Sequence, residues 1–175
     1  MRILSCCAIA FLLAGMACAQ DQDYLKASES SLQWFRDAKF GLFIHWGPIS
    51  LKGVEISFSR KGPRGGTDTT MLPGSIPMEE YDSLYKQFNP VKYDPREWVR
   101  LAKAAHMNYI VFVTKHHDGF CMFDSALTDY KVTNAPIGRD LTAELAQACH
   151  EAGMRLAFYY SPADWYHPDY GTPRH

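Results

Sequence analysis

The sequence predicts an α/β fold built on a parallel sheet. Three apolar runs read as strands buried on both faces, amphipathic helical stretches alternate with them, and breakers close each run. The composition fits a folded chain. Of 175 residues, 47% are hydrophobic, 14% aromatic and 21% charged. That balance excludes disorder, collagen and a coiled coil. A net charge of -1 argues against nucleic acid, which asks for a basic excess.

Met1-Arg2, the apolar stretch Ile3 to Ala14 and Ala17-Cys18-Ala19 read as a secretory signal peptide over residues 1–19, cleaved after Ala19. The apolar run is too short to span a bilayer, which takes about 20 residues. Lipidation at Cys18 is the rival reading, and Gly15 weighs against it because an aliphatic residue is usual there. Residues 20–175 are then the mature chain, secreted or periplasmic. Cys6, Cys7 and Cys18 leave with the signal. Cys121 and Cys149 are too few for a disulfide framework and read as small buried residues.

The first strand is Phe40 to Trp46, closed by Gly47-Pro48. A long loop from Leu51 to Pro77 follows, and such loops are usually functional or mobile. Its glycines at 62, 65 and 66 open no helix, so they form no phosphate cradle. Met78 to Phe88 is a short amphipathic helix through Tyr81, Leu84, Tyr85 and Phe88. Asp94-Pro95 starts another, as N-cap and first helical residue. Its apolar face reads Trp98, Leu101, Ala102, Ala105. Asn108 to Thr114 is the second strand. Asp140 caps a helix burying Leu141, Leu145, Ala148, Cys149 and Ala152, and Gly153 sits at its left-handed end. Arg155 to Tyr160 is the third strand. Open doubly wound sheets and closed (β/α)8 barrels both fit this order.

In either fold the chemistry gathers at the carboxyl ends of the strands. Those ends carry His45-Trp46, then Lys115-His116-His117-Asp118, then Tyr159-Tyr160-Ser161 with Asp164-Trp165. His106 and His150 fall at helix C-termini and read as structural. Successive strand side chains alternate faces, so His116 and His117 both look inward only if the strand ends before them. Three classes stay open on the residues alone. His45, His116, His117 and Asp118 are of the types that ligate a divalent metal in hydrolases. Histidines with Trp and Tyr walls also suit a polyhydroxylated sugar. A non-catalytic sugar-binding protein would use the same groups. The signal and the aromatic excess favour a carbohydrate, with no nucleic acid and no membrane span among the partners.

Trp34-Phe35-Arg36-Asp37-Ala38-Lys39-Phe40-Gly41-Leu42-Phe43-Ile44-His45-Trp46-Gly47 closely resembles the opening of the α-L-fucosidases, glycoside hydrolase family 29. Lys115 to Cys121 resembles that family's second signature, and Arg139-Asp140-Leu141, Tyr159-Tyr160-Ser161 and Asp164-Trp165 continue it. The resemblance implies a (β/α)8 catalytic domain and a retaining exo-glycosidase that releases terminal α-L-fucose without metal or other cofactor. It implies that His45, His116 and His117 contact the sugar hydroxyls, with Tyr159 rather than Tyr160 in the pocket. Trp46 is expected there too. Glu55 matches the family's Glu-Trp pair, but Ile56 stands where the Trp should be.

A retaining mechanism needs two carboxyl groups about 5–5.5 Å apart. The family's nucleophile lies at the end of a fourth strand, and the acid/base lies later. No residue here is therefore assigned as catalytic. Asp118 reads as structural or as orienting a histidine, and Asp164 as a loop residue near the mouth. A (β/α)8 barrel runs to about 250 residues, so the chain is expected to hold about three β/α units of one, an inactive fragment by itself.

Overall fold

The computed structural model describes residues 26–61 and 76–170. The predicted signal peptide, Cys18 and the glycines at 62, 65 and 66 lie outside the described residues. The chain divides into two units, Met1–Lys39 and Phe40–His175. In the first, helix α1 (Glu29–Ala38) starts where the Ser28 hydroxyl accepts from the Ser31 amide.

The second unit holds the sheet. Strands β1 (Leu42–Ile44), β2 (Tyr109–Lys115) and β3 (Arg155–Tyr160) lie in that order, both pairs parallel. Helices α2 (Met78–Ser83) and α3 (Pro95–Ala104) connect β1 to β2, and α4 (Leu141–Glu151) connects β2 to β3. Register sets Leu42 beside Ile110 and Ile110 beside Leu156. These three belong to the face packed on the helices. Ile110 and Phe112 are fully buried there, with Val99, Leu141, Leu145 and Cys149. No helix among the described residues is long and apolar enough to cross a membrane.

The helices start as their sequences dictate. Asp94 accepts from the Arg96 and Glu97 amides, and Asp140 from the Ala143 amide. Gly153 takes φ +62° just past α4. Cys121 and Cys149 are buried and free, and burial pushes each thiol up to about 11.

Four expectations are corrected. Strand β1 covers three residues rather than seven. Only β2 is buried almost throughout; Phe43, Phe158 and Tyr160 are each more than half exposed. Among the described residues β1 and β3 are edge strands, and no layer covers the face bearing Phe43. The stretch Met78 to Phe88 splits into α2 and a 3-10 turn, Leu84–Gln87. Helix α3 buries Pro95, Val99 and Ala102, so that of the expected face Ala102 alone is fully buried. Trp98, Leu101 and Ala105 instead border an open groove of about 480 Å³ with Leu42, Ile44 and Met107. The helix carries apolar residues on more than one stripe, and periodicity does not choose between them.

Candidate active site

The carboxyl ends of the three strands bring four rings together. His45 follows β1 and stands 5.6 Å from His116 and 6.1 Å from Tyr159, between ring centroids. His116 and His117 are 4.4 Å apart. Tyr159 stacks on His116 at 5.4 Å and 22°. Strand β2 ends at Lys115, after a register shift between Val113 and Lys115. Both histidines therefore lie beyond the pleat, and strict alternation no longer sends them to opposite faces. Tyr160 is turned elsewhere, its ring beneath the Lys115 ammonium at 4.9 Å.

Each imidazole is held through Nδ1. For His116 the partner is Ser57 Oγ at 2.5 Å, and for His117 it is Ser161 Oγ at 2.6 Å. Burial, then the neighbouring His117 and His45, push His116 down to about 4. Burial and the Lys115 ammonium lower His117 as well. At neutral pH both rings are uncharged, which suits hydroxyl groups rather than an anion.

Behind His116 runs a buried chain. The Asp118 amide donates to Ser57 Oγ at 2.9 Å, and the Ser57 amide donates to the Tyr81 hydroxyl at 2.8 Å. Tyr81 in turn donates to Asp118 Oδ2 at 2.7 Å. The Phe120 amide donates to Asp118 Oδ1. Asp118 is thus committed to the frame, as expected of an orienting residue. Burial pushes its carboxyl up to about 6, against the Tyr81 hydrogen bond, which lowers it.

Behind His117 the frame is built on Lys115. Its buried ammonium donates to the Ser161 carbonyl at 2.9 Å and the Ala163 carbonyl at 3.2 Å, and lies 3.4 Å from Asp164 Oδ2. Asp164 Oδ1 accepts from the Tyr166 and His167 amides. The Trp165 amide donates to the His117 carbonyl, which brings the Trp165 ring to 5.2 Å from that of His117. Gly119 makes the turn at φ +85°, and a side chain there would run into Asp164 and Tyr166.

The expected sugar contacts fall in two places. His45 and Glu55 line one cavity of about 380 Å³, with Trp46, Ser50 and Ile56. Trp46 also sends its ring into an aromatic cluster, 5.2–5.5 Å from Phe88, Tyr93 and Trp98. Three groups were not singled out for the site by the sequence, Ser57, Phe58 and Tyr81, and Lys115 was named there only as part of a strand end. Phe58 faces both histidines and Trp165, at 5.8 Å from His117 and 5.6 Å from Trp165. Among the described residues no three His, Cys, Asp or Glu side chains are grouped to hold one metal ion.

A family model of α-L-fucosidase matches residues 14–175. The chain belongs to the α-L-fucosidases. Tissue α-L-fucosidase of Homo sapiens is 34% identical over 143 residues, covering 78% of this chain and 30% of that protein. The Rattus norvegicus enzyme is 33% identical over 144 residues, covering 79% and 31%. α-L-Fucosidase isoenzyme 1 of Paenibacillus thiaminolyticus is 48% identical with a TM-score of 0.66, over 81% of this chain and 31% of that one. A Bacteroides thetaiotaomicron fucosidase of family 29, trapped as a covalent intermediate with 2-fluoro-fucosyl fluoride, is 36% identical with a TM-score of 0.68, over 83% and 33%. The chain spans about a third of the length of the curated fucosidases it matches.

Proposed function

We propose that this chain is the sugar-binding N-terminal part of a retaining enzyme that releases terminal α-L-fucose from glycoconjugates. The observation that carries the reading is the convergence of His45, His116, His117 and Tyr159, with both paired histidines uncharged at neutral pH. Neutral imidazoles both donate to and accept from hydroxyls, and Tyr159 adds a ring face and a phenol. Glu55 shares a cavity with His45 and supplies an acceptor. Trp46 acts mainly by anchoring the turn that carries His45. The covalent intermediate trapped in the Bacteroides relative supports the retaining route.

In this reading the three-stranded sheet is the start of a (β/α)8 barrel. The uncovered face bearing Phe43 then becomes barrel interior. The carboxyl pair comes from chain outside these 175 residues, because Asp118 and Asp164 are already committed to the frame. The reaction needs no metal or other cofactor. Residues 1–19 direct secretion, so the mature protein starts at Gln20.

The test is hydrolysis of an aryl α-L-fucoside. The full-length gene product is expected to release the aryl group and to keep its rate in chelator. The 175-residue chain alone is expected to release none. Turnover by that chain at an ordinary rate would sink the assignment of the carboxyl pair, and chelator-sensitive turnover would favour the metal reading.

A further inference from the structure

We infer that Ser57 and Ser161 lock His116 and His117 into opposite tautomers, so that the pair offers one N–H donor and one bare nitrogen to two sugar hydroxyls. The inference rests on the fucose-binding reading for its ligand, and on hydrogen bonding alone for the proton positions.

A serine hydroxyl has one proton to give. The Ser161 hydroxyl donates to the Ala163 carbonyl at 3.0 Å. Its oxygen therefore faces His117 Nδ1, 2.6 Å away, as an acceptor. With that donation made, His117 carries its proton on Nδ1, which leaves Nε2 bare. Ser57 differs. Its oxygen accepts from the Asp118 amide at 2.9 Å, and among the described residues the one remaining acceptor in reach of its proton is His116 Nδ1 at 2.5 Å. Ser57 is 0% exposed. If His116 donated instead, the Ser57 proton would be buried without a partner, at a cost of about 1–3 kcal/mol. His116 therefore carries its proton on Nε2.

Neither Nε2 has a protein partner among the described residues. No buried polar side-chain atom there lacks one, so both Nε2 atoms reach the surface. The two rings are adjacent, at 4.4 Å. One hydroxyl can accept from His116 while a neighbouring hydroxyl donates to His117. The serines are positioning residues, acting through the imidazoles. The class of ligand read this way is a neutral diol, and a carboxylate or phosphate gains nothing from the bare nitrogen.

The experiment is long-range proton–nitrogen NMR on the full-length protein, uniformly labelled with nitrogen-15, at pH 7. The two rings are assigned with the H116Q and H117Q variants. The expected spectrum shows His116 protonated on Nε2 and His117 on Nδ1. Any other combination, or a charged ring, overturns the inference. In S161A the His117 proton is expected to move to Nε2, and the affinity for L-fucose to fall tenfold or more. S161T is expected to restore both. An unchanged His117 tautomer in S161A would overturn the part given to Ser161. Should a variant fail to fold, the wild-type spectrum still decides the tautomers. The expected tautomers without L-fucose binding would remove the fucose reading and leave the proton positions standing.

Discussion

Replacing Tyr81 by Phe keeps the ring and removes one oxygen, which does two jobs. It donates to Asp118 Oδ2 at 2.7 Å and accepts from the Ser57 amide at 2.8 Å. Tyr81, Ser57 and Asp118 are each 2% exposed or less, so water does not replace the lost partners. Above the Asp118 pKa of about 6, the variant loses a hydrogen bond to a charged group, worth about 1.5–3 kcal/mol, and strands a buried amide, at about 1–3 kcal/mol. Together these come to about 2.5–6 kcal/mol. At pH 5 the carboxyl is protonated, the first loss shrinks to that of a neutral bond, about 0.5–1.5 kcal/mol, and the total falls by about 1 kcal/mol. In the wild type a folded pKa of about 6, raised from 3.8, makes Asp118 cost stability as pH rises from about 4 to 6. Tyr81 lowers that pKa, so in Y81F the loss extends to higher pH. The assay is urea unfolding of the full-length protein at pH 5 and pH 8, wild type against Y81F. A destabilisation below about 0.5 kcal/mol, or one larger at pH 5 than at pH 8, would refute the buried chain from Tyr81 to His116.

Other consequences are open to measurement. Gly119→Ala places a methyl group at φ +85° against Asp164 and Tyr166 and is expected to cost about 2–4 kcal/mol. Gly153→Ala, at φ +62° with open space around it, is expected to cost only about 1–2 kcal/mol. Thermal unfolding of the two variants checks the order. Protonation of His116, near pH 4, is expected to weaken binding of L-fucose. Calorimetric titration of the wild type and H116Q from pH 8 to 4 reads it, and a fall centred near 6.5 that H116Q abolishes would mean that burial does not lower His116. His117→Ala and Tyr159→Ala are each expected to weaken L-fucose binding at least tenfold with little change in melting temperature, because both rings sit at the mouth rather than in the core cluster.

Much of the fold is legible locally. Asp94 and Asp140 announce their helices through caps that the structure contains, and Gly153 marks an end. Strand β2 reads as doubly buried because it is central, with a neighbour on each side. The same kind of apolar run misleads in β1 and β3. Burial of Phe43 and Phe158 depends on what lies beyond the sheet edge, and a residue's own sequence carries no record of that. Helix α3 misleads for a related reason. Its apolar stripe is wider than one contact surface, and the choice of Val99 over Leu101 is made by the neighbours.

The site divides along the same line. His45, His116, His117 and Tyr159 stand out because each follows or ends a strand, and the strand ends converge in any parallel sheet. Their supports do not stand out. Ser57 lies in a long loop, with φ +61° and no regular structure around it, and it meets His116 across 59 residues of sequence. A serine in a loop ordinarily reads as solvated surface. Only its complete burial, and the Tyr81 hydroxyl that receives its amide, distinguish it. Lys115 reads as a polar strand end, yet its ammonium is buried and satisfied by two carbonyls and Asp164. Those carbonyls and that carboxylate follow β3, so Lys115 ties the loop of Ser161 to β2 and thereby holds Ser161 against His117. The groups that touch a ligand are placed by strand geometry and show in the sequence. The groups that decide which nitrogen carries the proton are placed by tertiary contacts.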